Sequence, residues 1–134
     1  MSKKTETREE RIHVIKNEVS SCAHVLNVSD SAVRVLMGLV DKSNLPDNAV
    51  LPRNIWYPSK TESLELFTNI NQAQLSILVR KDVRSIRNAI RLLEERGYIV
   101  RVPHKAGEKM TTKINGSKIL NDAADAWQEY NWST

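Results

Sequence analysis

The sequence predicts a mainly α fold carrying one small β-hairpin, and three observations point there. Residues 83–96 carry an amphipathic helix pattern, in which Val83, Ile86, Ala89, Ile90 and Leu93 fall on one arc at about 100° per residue. Two short runs rich in apolar and β-branched residues, 98–102 and 110–114, follow that helix and flank a turn at Ala106-Gly107. Apolar positions at helical spacing recur near both ends of the chain.

The elements follow in order. Residues 6–26 read as a helix with Ile12, Ile15, Val19, Cys22 and Leu26 on one side. A break at Asn27-Val28-Ser29-Asp30 offers Ser29 or Asp30 as the next N-cap, and Val33, Leu36, Leu39 and Val40 carry a second helix to about Asp41. Residues 43–70 form a linker or insertion that holds Pro46, Pro52 and Pro58. A connection of that length tends either to serve a function or to hide short elements. A short helix is expected over 61–67, and Trp56 and Tyr57 are expected to pin the insertion on the core, with base stacking as the other use of such rings. Asn71 can cap a short helix whose Ala73, Leu75, Leu78 and Val79 would pack on the next one, which Asp82 caps and Gly97 ends in a left-handed stop. The C-terminal helix is expected over 117–130. Its apolar arc (Ile119, Leu120, Ala123, Ala124, Trp127) is wide enough to pack inside the domain and, with Tyr130 and Trp132, to meet a symmetry mate. The chain thus reads as one domain: 1–42 N-terminal helices, 43–70 insertion, 71–97 paired helices, 98–115 hairpin, 116–134 final helix.

The face of the 83–96 helix opposite its apolar arc points to function. Arg84, Arg87, Asn88, Arg91 and Glu95 share it, and only Glu94 and Glu95 at the far end offset the arginines. Guanidinium and amide groups suit bidentate contact with guanine, adenine and phosphate oxygens. The plainer alternative is a charged face that merely meets solvent. Charge placement argues against it. Residues 71–113 carry ten Lys or Arg against four acids, residues 1–70 carry nine of each, and residues 114–134 carry one base against three acids. The net charge of +4 is therefore concentrated in one module on a neutral body, the footprint of a nucleic-acid binder. A short helix, a tight basic turn at Arg80-Lys81, a basic second helix and a basic-tipped hairpin describe a winged helix-turn-helix that lays its second helix in the major groove of double-stranded DNA. The candidate base readers are Arg84, Arg87, Asn88 and Arg91, and Lys81, Lys105 and Lys109 are candidate phosphate contacts.

Other chemistry finds little footing. No apolar run approaches a membrane span, and the first residues, MSKKTETREER, lack a signal peptide's apolar stretch, so a cytoplasmic setting is expected. The lone cysteine, Cys22, builds no disulfide framework and lies on an apolar stripe, where a buried inert thiol is expected. His13, His24 and His104 lack metal-ligand spacing, and neither a glycine-rich phosphate loop nor a nucleophile–base constellation occurs. No cofactor, metal or enzymatic activity is expected.

Residues 75–99, LSILVRKDVRSIRNAIRLLEERGYI, resemble the helix-turn-helix of bacterial winged-helix transcription regulators, the MarR (multiple antibiotic resistance regulator) family above all. LLEERGYIVR, the basic hairpin and TTKINGSKIL are similar to that family's wing and the helix after it. The resemblance implies a recognition helix bearing Arg84, Ser85, Arg87, Asn88 and Arg91, a wing reaching the minor groove or backbone through Lys105 and Lys109, and a homodimer built by the terminal helices. It also implies that Cys22 could sense oxidants. Three features depart from the family pattern. Arg80 holds a turn position often given to glycine, so the backbone there is expected to avoid the left-handed region. The wing lacks an Asp-x-Arg signature. The connection before residue 71 is far longer than the family's.

Three functions fit these residues. The first is a transcription regulator, most simply a repressor on a pseudo-palindromic site. The second is the DNA-binding module of a plasmid or phage replication or maintenance protein, which would read direct repeats. The third is a winged-helix module that binds protein and no DNA, against which the arginine stripe argues.

Overall fold

The computed structural model describes residues 7–46, 51, 64–102 and 111–133, with side chains as far as residue 128. Each of the first four helices starts where a short polar side chain takes up an unpaired amide of the opening turn. Thr7 accepts from the Glu10 N–H ahead of α1 (Arg8–Ala23), and Ser29, not Asp30, accepts from Ala32 N–H ahead of α2 (Asp30–Asp41). Asn71 and Gln74 cap α3 (Gln72–Val79) reciprocally, Asn71 Oδ1 accepting from Gln74 N–H at 2.8 Å and Gln74 Oε1 from Asn71 N–H at 3.0 Å. Asp82 caps α4 (Val83–Glu95) by accepting from Ser85 N–H at 2.8 Å. Gly97, at φ 80°, gives the left-handed stop expected after α4.

The short helix expected over 61–67 is contradicted. Glu65–Thr68 is a strand, β1, and it pairs antiparallel with β3 (Thr111–Asn115), which pairs in turn with β2 (Ile99–Val102). The sheet order is β1-β3-β2, with Leu66 opposite Ile114 and Ile114 opposite Ile99. Leu64, Leu66 and Thr68 alternate with Glu65 and Phe67, so one face of the strand is buried, which suits period two and not a helix. Asn44 and Phe67 exchange two backbone hydrogen bonds of 2.9 Å, so the segment after α2 extends the same edge. The last helix, α5 (Gly116–Ser133), begins one residue earlier and runs three residues further than expected. Its second residue, Ser117, ties it to the sheet: the hydroxyl accepts from Leu64 N–H at 2.8 Å, and the Ser117 N–H donates to Leu64 O at 3.3 Å.

The core lies around α2, whose Ala32, Val33, Val35, Leu36, Leu39 and Val40 are all buried. Ile15, Val19, Cys22 and Leu26 of the first helical segment join them as expected, and so do Ile86, Ala89, Ile90 and Leu93 of α4 and Ile119, Leu120 and Ala123 of α5. Gly38 lets α3 come close. A methyl group there would stand 3.0 Å from Val79 Cγ1 and 3.4 Å from side-chain carbons of Leu75 and Leu78. Two packing expectations fail. In α3 only Leu75 is buried and Val79 half-buried, while Ala73 and Leu78 are exposed, because so short a helix turns one narrow edge to α2 and α4. Val83 is 39% exposed, since the first turn of α4 projects past its neighbours. On the arc of α5 the inner positions Ile119, Leu120, Ala123 and Ala124 are buried, while Trp127 is 56% exposed beside a cleft of about 510 Å³ lined by Cys22, Val25 and Ala124. Trp56 and Tyr57, and the side chains of Tyr130 and Trp132, lie outside the described residues. No helix among the described residues is long and apolar enough to cross a membrane.

Candidate nucleic-acid interface

The candidate interface comprises the turn between α3 and α4 and the outer face of α4. Ile86, Ala89, Ile90 and Leu93 bury one side of that helix against the core, so residues about half a turn away must face outward. Arg84, Arg87, Asn88 and Arg91 are all exposed. They follow the i, i+3, i+4, i+7 stripe of one helix face, and at 1.5 Å per residue Arg84 to Arg91 spans about 10 Å, roughly three base-pair steps.

The electrostatics of the stripe set it apart. Among the described residues, other cations are engaged. Arg101 Nε lies 3.0 Å from Glu94, Lys113 Nζ 3.5 Å from Glu65, Lys118 Nζ 3.3 Å from Asp122 and Lys42 Nζ 4.0 Å from Asp41. Arg8 and Lys16 donate to the carbonyls of Pro46 and Asp41. The described Lys and Arg side chains with neither an ion pair nor a side-chain hydrogen bond are Arg34, Arg80, Lys81, Arg84, Arg87, Arg91 and Arg96. All but Arg34 lie between residues 80 and 96. The expectation that Glu94 offsets the arginines is corrected: Glu94 is paired across to β2, which leaves Glu95 as the acid at the end of the stripe.

Asp82 is the acid inside this basic group, and the fold holds it there as a cap. Hydrogen bonds from the Ser85 hydroxyl and then from the Ser85 N–H, with weaker help from Arg84 and Lys81, keep its carboxyl below the usual value of 3.8. Ser85 is half-buried, whereas Arg84, Arg87, Asn88 and Arg91 are exposed. Lys81 is half-buried beside the cap, and Lys105 and Lys109 lie outside the described residues.

The turn holds what the sequence did not lead one to expect. Arg80 takes up the left-handed conformation, φ 56° and ψ 46°, and no other described non-glycine residue has positive φ. The Arg80 and Lys81 N–H groups both donate to Ser76 O, and the Ser76 hydroxyl donates to Lys81 O, so the chain must reverse at that residue.

Cys22 is buried, and its thiol is pushed up to about 11, first by burial and then by Glu18. That is the inert thiol expected on an apolar stripe. Behind α4, the Tyr98 hydroxyl donates to Asp122 at 2.8 Å, and Lys118 lies over the Tyr98 ring at 5.6 Å, which fixes the base of β2 against α5. Sequence reasoning missed β1, the sheet strand on the far side of β3 from β2; the alternation of Leu64, Leu66 and Thr68 over so few residues does not by itself tell a strand from a helical turn. Compared with protein-family models, with curated proteins and with solved structures, the chain matches none.

Proposed function

We propose that the chain is a sequence-specific double-stranded DNA-binding protein of winged helix-turn-helix type, most simply a transcription repressor, with α4 as its recognition helix. One observation carries the reading. Six of the seven described cations that make neither an ion pair nor a side-chain hydrogen bond are gathered on the α3–α4 turn and along α4 to its C-cap. Unpaired guanidiniums repel one another and contribute little to the fold, so their concentration on one exposed helix face suits an anionic partner. Arg84, Arg87, Asn88 and Arg91 would meet base edges, and Lys81 would meet phosphate. The order α2, β1, α3, α4, β2, β3, with β1 and β2 flanking β3, supports the same reading, because it sets a hairpin beside the outward helix. In this proposal the hairpin tip, with Lys105 and Lys109, is the wing.

A homodimer belongs to the proposal. Val14 and Val25 on the first helical segment and Trp127 on α5 are exposed apolar side chains on adjacent terminal helices. Two-fold pairing there would set two recognition helices about one DNA turn apart on an inverted repeat. The resemblance to MarR regulators supports this arrangement.

The test is selection from a pool of random duplexes at two salt concentrations, with oligomeric state read in the same samples. The expected result is a dimer enriching one inverted repeat, with affinity falling steeply as salt rises. Enrichment of direct repeats would favour a replication or maintenance module. No duplex binding at low salt would refute the proposal and leave the protein-binding alternative.

A further inference from the structure

Arg80 occupies the position in the turn where a side chain is least welcome. An L-residue in the left-handed region brings Cβ against its own carbonyl, and glycine takes the same conformation without that clash. The reversal itself is enforced by the backbone hydrogen bonds of Arg80 and Lys81 to Ser76 O and by the Ser76 hydroxyl, none of which needs the Arg80 side chain. That side chain is exposed and has neither an ion pair nor a hydrogen bond among the described residues. It stands two residues before the α4 N-cap and next to Lys81, at the end of α4 where Arg84 begins the basic stripe. A strained residue that returns nothing to the fold is best explained by what it touches outside it.

We infer that Arg80 is a backbone anchor, a guanidinium held out by the left-handed turn to contact a DNA phosphate beside the groove that α4 enters. The inference rests on the DNA-binding reading above. It adds a residue to that interface and assigns it affinity without sequence preference. A phosphate contact releases condensed counterions, so it is expressed in the salt dependence of binding. A base contact is expressed in sequence preference.

The experiment compares wild-type protein with Arg80→Gly and Arg80→Lys, on the selected duplex and on random duplex, across a salt series, with thermal unfolding in parallel. Glycine relieves the strained turn, so Arg80→Gly should melt no lower than wild type and up to a few degrees (~2–4 °C) higher. Its affinity should fall about eightfold per bound copy at ~0.1 M salt on both duplexes, and the slope of log K against log salt should shrink by about 0.9 per copy. Arg80→Lys keeps the charge and should restore most of the slope. Unchanged binding by Arg80→Gly at every salt would overturn the inference while leaving DNA binding intact. So would a loss confined to the selected duplex, which would make Arg80 a base reader. A lower melting point would overturn it as well, by showing that the side chain serves the fold. If wild-type protein binds no duplex, the DNA-binding reading fails and takes this inference with it.

Discussion

Arg87→Ala separates stability from recognition at the middle of the basic stripe. Arg87 is exposed and makes neither an ion pair nor a side-chain hydrogen bond among the described residues, so truncation strands no partner. It lies one residue after Ile86, which is fully buried, and one before exposed Asn88. The helix therefore keeps its packed side, and alanine is slightly the better helix former. The expected change in folding stability is within about 0.5 kcal/mol, the range for surface positions without special features. The expected change in binding is far larger. A bidentate arginine–guanine pair contributes about 1–3 kcal/mol of discrimination, which is roughly 5- to 150-fold per site.

The assay is fluorescence anisotropy on the selected duplex and on every single-base-pair variant of it, with thermal unfolding run on the same preparations. Arg87→Ala should lose preference at one base pair per half-site and keep it elsewhere. Its binding to random duplex should change much less than its binding to the selected site. A folded variant that keeps wild-type affinity and preference would refute the docking of α4. A variant weakened equally on all sequences, with a shallower salt slope, would reassign Arg87 to the phosphates.

Three further outcomes are expected. Glu94→Gln releases Arg101 from a 3.0 Å pair whose side chains are 37% and 35% exposed, so screening limits the stability loss to roughly 0.2–1 kcal/mol. Duplex affinity at low salt should rise, as an anisotropy titration would show. Asn71→Ala breaks the reciprocal cap of α3 and should cost about 1 kcal/mol, measured by urea unfolding monitored by circular dichroism. Cys22 in folded protein should alkylate very slowly at neutral pH. With its thiol pushed up to about 11 from 9.0, it carries about a hundredfold less thiolate than an ordinary cysteine, and urea should restore rapid labelling. Rapid labelling of the native protein would revive an oxidant-sensing role.

Much of the fold could be read locally. Ser29, Asn71, Asp82 and Gly97 act within three or four residues of themselves, so caps and stops were legible without knowledge of the rest of the chain. The apolar stripes of α1, α2 and α4 were legible for a related reason: each repeats at 3.6 residues over three turns or more. The strand β1 was not. Glu65–Thr68 is four residues long, and its conformation is imposed by β3, where Leu66 meets Ile114. A run that short fits a helical turn or a strand equally well until its partner is known. Burial along α3 failed similarly, because eight residues cannot show which of two neighbours, α2 or α4, they will face.

At the interface, legibility divided by the same rule. That α4 is basic on the side opposite its apolar arc follows from spacing, and the exposed positions came out as expected. What spacing could not give is which acids remain available to neutralise that side. Glu94 sits next to the stripe in sequence and pairs with Arg101 on the following strand. Asp82 sits before it and is held by Ser85. The fold thus ties Glu94 to a strand, whereas Asp82, held at the helix end, still draws Arg84 and Lys81, and Glu95 stays exposed at the far end of the stripe. The tertiary structure does more than display the basic face: it turns one nearby counter-charge, Glu94, away from it. A row of guanidiniums about 10 Å long costs the free protein self-repulsion that salt screens and a bound anion would relieve. In the proposed DNA-binding role, the steepness of binding with salt is therefore the quantity that this arrangement most directly sets.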